Sequence, residues 1–366
     1  MNVELTINNK NVTAPEGSTI LEAARLAGIH IPTLCHHPDL SNVGACRLCV
    51  VSVERARALQ TACTTPITEG MVVDTESEQA RESRKFILEM LLTDHPNDCM
   101  TCEVNGECEL QDLVYDYGLE WPEHSGERHV YEVDSDPNPF VLVDRNKCII
   151  CGRCVRACGE IQNRDVWNFA QRGFETELVA GANQFMLDAR CESCGQCVAY
   201  CPVGALSDKM SKGLGRPNQV DRVRTTCSYC GVGCTFDLNV RHGRIVRVTS
   251  AEDAPANGLS LCVKGRYGYD YVHHPERLTR PLVRRELLDE DDSFAVSPFS
   301  PDLVEVDWDT ALDLVATRFA EVKKTHGDDA FALLASAKCT NEENYLFNKF
   351  TRQILATNTI DHCARL

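Results

Sequence analysis

Apolar and polar residues alternate over 3–7 and again over 12–14, and the two runs flank Asn8-Asn9-Lys10, whose Asn pair suits the positive φ of a tight hairpin. The period then lengthens. Ile20, Leu21, Ala24 and Ala27 fall at helical spacing behind Ser18, read as the capping residue, and before Gly28, a stop. A second helix is predicted over 78–92, with Phe86, Ile87, Met90 and Leu91 as its apolar face. Near the other end, Leu312, Val315, Phe319 and Val322 mark a helix over 310–324, and 341–355 predicts another. Between them, 330–335 is almost continuously apolar, as in a parallel strand covered on both faces. These elements begin an α/β domain without completing a doubly wound sheet. The middle of the chain lacks such periodicity and instead repeats itself: two Cys-rich runs lie 43 residues apart within 141–212, neither half holding a worthwhile apolar core.

These patterns divide the chain. Residues 1–78 have a ferredoxin-like layout of hairpin, helix and Cys loop, and 79–118 is a segment too short to fold without a metal. Residues 119–140, rich in Pro, Glu, Asp and His, read as a linker to the repeat of 141–212. Gly213-Leu214-Gly215-Arg216-Pro217 then marks the boundary to another Cys segment, 220–275, and 276–366 holds the α/β elements, with 284–301 an acidic surface loop.

Composition narrows the function. The 37 Lys and Arg against 54 Asp and Glu give a net charge of −17, which argues against a phosphate-binding nucleic-acid surface. No apolar run approaches the roughly 18 residues of a membrane span, and the longest, 86–92, contains Glu89. Met1 leads directly into strand, with no basic and apolar leader and no twin arginine, so the expectation is a cytoplasmic chain with reduced thiols. Its 21 Cys in 366 residues then point to metal, and 19 of them fall into five sets.

Cys35, Cys46, Cys49 and Cys63 follow C-x10-C-x2-C-x13-C, a longer-loop variant of the plant-type [2Fe–2S] rule, with tetrahedral zinc the alternative. His95, Cys99, Cys102 and Cys108 follow H-x3-C-x2-C-x5-C and read as a [4Fe–4S] site of one His and three Cys; zinc on the thiolates, or an unligated His, is the alternative. Cys148, Cys151, Cys154, Cys158 and then Cys191, Cys194, Cys197, Cys201 each follow C-x2-C-x2-C-x3-C, the bacterial two-cluster pattern. In that pattern the fourth Cys crosses over, which joins Cys201 to the first three of one run and Cys158 to the first three of the other. The first run ends in Gly159 where the second has Pro202. Cys227, Cys230, Cys234 and Cys262, with Lys264 two residues on, would alone suit a zinc ribbon and in this company read as a fourth [4Fe–4S] site.

Together these residues resemble the catalytic subunit of the cytoplasmic molybdenum- or tungsten-dependent formate dehydrogenases, over the whole chain. Residues 1–212 are equally similar to the N-terminal part of iron-only hydrogenases, and the first two sets also occur in the large iron–sulfur subunit of NADH:quinone oxidoreductase. The fifth set and two further stretches favour the dehydrogenase. Residues 336–345, Ser-Ala-Lys-Cys-Thr-Asn-Glu-Glu-Asn-Tyr, are similar to its strand-to-helix turn near the pterin, and 357–366, Thr-Asn-Thr-Ile-Asp-His-Cys-Ala-Arg-Leu, to the segment leading to its metal ligand.

The resemblance implies an α+β multidomain chain: a β-grasp ferredoxin, a one-His/three-Cys cluster segment, a two-cluster bacterial ferredoxin, and the start of a molybdopterin oxidoreductase α/β domain. It implies oxidation of formate to CO2 at molybdenum or tungsten held by two pterin guanine dinucleotides, with electrons leaving through one [2Fe–2S] and four [4Fe–4S] clusters. The acceptor would be a partner subunit: an NAD(P)-reducing flavoprotein, a ferredoxin or a hydrogenase. Lys264 would lie between the fifth cluster and the nearer pterin. Cys339 would stand near the pterin as a supporting thiol and Cys363 as a small buried one, because the family's ligand, selenocysteine or cysteine, falls after Leu366. A UGA codon read as a stop is the expectation for a chain ending there, and the 366 residues alone are expected to carry electrons without turning over formate. The alternative is a free-standing iron–sulfur relay subunit of a hydrogenase or NADH-dehydrogenase-like complex.

Overall fold

Asn8 and Asn9 both take positive φ, 50° and 62°, and their turn pairs β1 (Asn2–Ile7) antiparallel with β2 (Lys10–Pro15), as the alternation predicts. The computed structural model describes residues 1–120, 126–288 and 302–363. Parts of the expected linker, the acidic loop and the last stretch, namely 121–125, 289–301 and 364–366, lie outside the described residues. The chain divides into two units, 1–225 with 236–267, and 226–235 with 268–366.

In the first unit, β3 (Val50–Val53), β4 (Gln60–Thr61) and β5 (Val72–Asp74) join the hairpin in a sheet of order β2-β1-β5-β3-β4, with β1 parallel to β5. Helix α1 (Ile20–Leu26) covers it and buries Ile20, Leu21, Ala23 and Ala24 against Leu5, Ile7, Val12 and Val51. Its cap is Thr19, not the expected Ser18. Glu22 decides this by completing a capping box: Thr19 N–H donates to its carboxylate at 2.7 Å, and Glu22 N–H to the Thr19 hydroxyl at 3.3 Å. Ser18 N–H turns back to the Pro15 carbonyl.

Helix α2 (Glu78–Asp94) starts at Ser77, and its buried face differs from the apolar stripe. Ile87 and Leu91 pack inward beside Ala80, Arg84 and Leu88, but Phe86 and Met90 are exposed. The rotation follows from Arg84. Its fully buried guanidinium donates to the Val50 carbonyl at 2.8 Å, to the Tyr117 hydroxyl at 3.2 Å and to Glu76 at 3.4 Å, so a charged residue occupies a core position. Helix α3 (Glu109–Asp116) then closes a core of Leu34, Leu48, Leu88, Leu110, Leu113, Val203 and Ala205, drawn from three parts of the sequence.

Residues 126–140 are fastened down rather than a loose spacer. The Asp94 carboxylate accepts the His129 N–H at 2.8 Å and pairs with its Nδ1 at 2.7 Å, while Asn146 accepts the Tyr131 N–H. Buried Asn138 donates to the Ser193 hydroxyl, whose run lies 55 residues on.

The repeat is visible in the backbone. β6 (Val141–Val143) pairs with β9 (Leu206–Asp208), β7 (Trp167–Ala170) with β8 (Glu177–Ala180), and each Cys run enters a short helix, α4 (Arg153–Arg156) or α5 (Gln196–Ala199). Ile150 and Ser193 take φ 53° and 54°, Gly152 and Gly195 take 71° and 73°, all at the 43-residue spacing. Val141, Val143, Trp167, Leu178, Met186 and Leu206 build one core between the halves, which accounts for neither half having its own. β10 (Asp221–Thr226), β11 (Thr235–Arg241) and β12 (Arg244–Ser250) form a further sheet, followed by α6 (Val263–Tyr267).

In the second unit, β13 (Leu282–Arg284) pairs with β14 (Leu303–Glu305), α7 (Trp308–His326) is capped by Asp307, and β15 (Leu333–Ser336) runs parallel to β16 (Ile360–Cys363). The expected strand starts three residues late because a tight turn occupies Asp328–Ala330. Nor is it covered on both faces: among the described residues β16 is its one partner, and Leu334 is 82% exposed. Helix α8 (Asn341–Phe350) opens with a Thr340–Glu343 capping box and widens to a π turn over Thr351–Leu355, where the Thr351 hydroxyl donates to the Phe347 carbonyl at 2.7 Å. Among the described residues no helix is long and apolar enough to cross a membrane.

Arg84→Met removes the donor that Val50 and Tyr117 share. It should cost about 1–3 kcal/mol, read as a lower thermal midpoint than the protein carrying Lys85→Met, a change at the exposed neighbouring position.

Candidate iron–sulfur centres

The loop after α1 brings Cys35 and Cys46 together, with the Cys46 N–H donating to Cys35 Sγ at 3.4 Å; the strand β3 and the residues after β4 bring Cys49 to Cys63. Each pair shares a hydrogen between its thiols, which pulls Cys35 down to about 6 and Cys49 down, and pushes Cys46 and Cys63 up. Cys63 also feels Cys35 and Cys46, so the four form one group.

Cys99, Cys102 and Cys108 are mutual neighbours at the end of α2 and the start of α3, and burial pushes Cys108 up to about 11. His95, Cys99 and Cys108 line one cavity of about 450 Å³. The His95 Nδ1 is buried without a partner, and burial holds the imidazole neutral, the form that ligates metal. Across from it, a Cβ on Gly204 would stand 2.7 Å from Cys102 Sγ, so only glycine leaves that thiol its place. An orphaned imidazole nitrogen, clustered thiols and a glycine cradle fit an iron–sulfur group.

The two runs of the repeat exchange their last thiols. Burial raises Cys154 most, and Cys148, Cys151 and Cys201 oppose its ionisation next. Cys197 is likewise raised by burial, then by Cys194, Cys191 and Cys158, while Trp167 donates to its sulfur. Cys158 rides on a π turn, Ala157–Ile161, and accepts the Val166 N–H at 3.3 Å. Burial pushes Cys148 and Cys151 up to about 12 and Cys201 to about 11. The cost of a thiolate here is what a bound cationic metal removes. Among the described residues no three His, Cys, Asp or Glu side chains are arranged around a single ion.

The fifth set is divided between the units: Cys227, Cys230 and Cys234 belong to the second, where the Cys227 N–H donates to the Cys234 carbonyl at 2.8 Å, and Cys262 belongs to the first with exposed Lys264. Cys339 lies in the turn after β15, its N–H on the Ser336 carbonyl at 3.1 Å and its own carbonyl accepting from Asn344. Ser336 and Cys363 are register partners, so the turn that opens 336–345 begins where β16 ends, at one end of a parallel pair.

Sequence reasoning missed the cations that tie these loops together. Arg156, 8% exposed, donates to the carbonyls of Cys35 at 2.5 Å, Ser41 at 2.6 Å and Cys151 at 3.3 Å, joining the first set to the third. Arg153 grips Glu109, next to Cys108, with two bonds of 2.5 and 2.8 Å. Leu40 packs on Ala157, Tyr200 and Leu259, and the Tyr200 hydroxyl donates to Asp39. The available signal was an arginine two and five places after Cys151, inside a run otherwise made of thiols and small or apolar residues.

Residues 1–78 match the family described as 2Fe-2S iron-sulfur cluster binding domain, and 84–122 the NADH-ubiquinone oxidoreductase-G iron-sulfur binding region. Residues 138–207 match the ferredoxin-like domain of NADH-quinone oxidoreductase subunit 3, 220–274 the molybdopterin oxidoreductase Fe4S4 domain, and 277–366 molybdopterin oxidoreductase. The chain has the iron–sulfur and molybdopterin domains of a molybdopterin oxidoreductase. It is 38% identical over its whole length to 40% of the NADPH-Fe(3+) oxidoreductase subunit alpha of Geobacter sulfurreducens. An NADH-quinone oxidoreductase subunit of Rhizobium meliloti is 35% identical, over 99% of this chain and 40% of its own. A Staphylococcus aureus protein provisionally named a formate dehydrogenase is 28% identical, over 99% of this chain and 39% of its own. The crystal structure of an NAD+-reducing [NiFe]-hydrogenase superposes with a TM-score of 0.55 at 33% identity, covering 58% of this chain and 90% of that one. The molybdopterin-type chain thus spans about 40% of the length of the curated relatives it matches.

Glu109→Ala would strand the buried Arg153 guanidinium. Because Glu109 is itself half exposed, the expected loss is about 2 kcal/mol rather than the full price of a buried pair. A lower thermal midpoint, partly restored when Arg153→Met is added, is the expected result.

Proposed function

We propose that the chain is the iron–sulfur, electron-transferring part of a molybdenum- or tungsten-dependent formate dehydrogenase, working in the cytoplasm with a partner subunit as acceptor. The exchange of last thiols between the two runs of the repeat is the observation that carries the electron-transfer reading. In this reading Cys35, Cys46, Cys49 and Cys63 hold a [2Fe–2S] cluster. His95 with Cys99, Cys102 and Cys108, Cys148, Cys151 and Cys154 with Cys201, Cys191, Cys194 and Cys197 with Cys158, and Cys227, Cys230 and Cys234 with Cys262 hold four [4Fe–4S] clusters. When bound, such clusters take up and release single electrons, which splits a two-electron oxidation into one-electron traffic. The protein would bury the clusters of the repeat among the thiols of its core, fix their neighbours and set the charge around them.

Formate as the substrate of the complete enzyme is supported by the 336–345 and 357–366 stretches and by the Staphylococcus aureus relative. Cys339, in the turn at the strand edge where α/β sheets place ligands, would stand near the pterin as a supporting thiol. Lys264 would place a cation between the fifth cluster and the nearer pterin. A second reading, a relay subunit serving a nicotinamide or hydrogen reaction, is favoured by the 38% identity to the Geobacter sulfurreducens subunit and by the hydrogenase structure.

The two separate by the reductant. Under anaerobic conditions, the complete cluster-loaded protein with its partner subunits should bleach with formate; bleaching by NADPH or hydrogen alone would favour the relay. Lys264→Ala should slow that reduction at unchanged iron content, and an unchanged pre-steady-state rate would exclude the role. Cys158→Ala should cost one cluster's iron and erase the same electron paramagnetic resonance signal as Cys194→Ala, leaving the signal that depends on Cys148.

A further inference from the structure

The two runs of the repeat share a backbone but not their cations. In the first run the Cys151 carbonyl accepts from Arg156 at 3.3 Å, and Arg153 lies three residues earlier on the same helix. The residues 43 places on are Gln196 and Ala199, so the second run has lost both charges. Its equivalent carbonyl, that of Cys194, instead accepts from Nε of Arg266 at 3.0 Å, a residue 72 positions away. We propose that Arg266 is a positioning residue that raises the potential of the cluster held by Cys158, Cys191, Cys194 and Cys197, by fixing an uncompensated positive charge against the Cys194 loop. This rests on the reading that those four thiols hold a cluster.

Arg266 is 4% exposed, and its hydrogen bonds go to neutral acceptors: the carbonyls of Cys194 and Leu259 and the Gln196 side-chain oxygen at 3.2 Å. The charge is therefore hydrogen-bonded but not neutralised by a carboxylate in contact. The groups it feels are Tyr267, the Cys194 and Cys197 thiols, and Asp208, whose carboxylate already accepts the Met210 and Ser211 N–H groups. A glycine makes the approach possible. Gly195 takes φ 73°, and a Cβ there would collide with Arg266 Cδ and stand 2.5 Å from the Tyr267 hydroxyl; at Gly152, the matching position, a Cβ would meet only the Phe169 ring, at the ordinary distance of 3.5 Å. Reduction adds one negative charge to a cluster, and a fixed cation in a low-dielectric surrounding favours the reduced form. Burial lowers the guanidinium's pKa, and its planar fork of donors reaches acceptors on three residues, which a single ammonium would not match.

The test is a redox titration of the complete cluster-loaded protein followed by electron paramagnetic resonance, reading the signal that Cys194→Ala removes. Gln196→Glu is isosteric, keeps the hydrogen bond and supplies the missing carboxylate. It should lower the reduced-to-oxidised ratio about tenfold at the original midpoint, about 59 mV for one electron. Arg266→Gln should shift in the same direction. An unmoved midpoint in Gln196→Glu at full iron content would overturn the inference, as would an unmoved midpoint in Arg266→Gln. If Arg266→Gln fails to load, Gln196→Glu decides alone. Failure of Gln196→Glu itself to load would also overturn it, because an uncompensated guanidinium accepts a carboxylate. A parent protein with no signal dependent on Cys194 would instead bring down the ligand assignment, and the inference with it.

Discussion

Thiols gathered out of water resist ionisation, and each resists more strongly because its neighbours are thiols too. That repulsion is the constraint the first unit is built around. Burial is the largest cause raising Cys148, Cys151, Cys154, Cys197 and Cys201, and adjacent thiols add to it in every case. A chain of net charge −17 has no general positive field to offset this. The offset is local. Among the described residues the buried charged side chains are Arg84, Lys147, Arg153, Arg156 and Arg266, with Asp144 the one buried carboxylate. The acidity lies outside, and the interior beside the sulfurs is cationic.

The same cations serve as mechanical links. A guanidinium has five donors in a rigid fork and can bridge carbonyls from segments far apart in sequence. Arg156 joins the loop of Cys35 to that of Cys151, Arg153 joins α4 to α3 beside Cys108, and Lys147 pairs with Asp98 and Asp144 next to Cys102. The apolar core that crosses the same junction, Leu34 and Leu48 against Val203 and Ala205, excludes the water that would weaken those bonds. Charge compensation and docking between cluster loops are thus one set of contacts.

What the sequence made legible was whatever is local. The Asn8-Asn9 hairpin, the helix ending at Gly28 and the 43-residue repeat follow from φ preference and spacing, and the thiol spacings indicated which cysteines gather. One error was local, the cap of α1, whose partner lies only three residues on; the others came where a residue distant in sequence decides. Glu22 moved the cap of α1 to Thr19 through a bond between side chain and backbone. Arg84 turned the buried face of α2 away from Phe86 and Met90, because Val50 and Tyr117 supply its acceptors. The acidic, polar look of 126–140 concealed its anchoring, since each contact pairs a polar group with a partner elsewhere, such as Asp94 or Asn146. Hydrophobic pattern reports burial by apolar contact and is blind to burial by satisfied hydrogen bonds.

The repeat shows how function can diverge on a fixed backbone. Two halves with the same φ values at Ile150 and Ser193, and at Gly152 and Gly195, offer their sulfurs nearly the same geometry. Geometry alone would make the halves interchangeable, and a conductor of identical sites has no preferred direction. What differs is the charge at positions 153 and 156 against 196 and 199, and the source of the guanidinium on the Cys194 carbonyl. Gly195 permits that replacement at close range where Gly152 faces only an aromatic ring. A duplicated fold can therefore acquire two electrostatic environments without altering a ligand spacing, through one arginine supplied from a later segment of the chain.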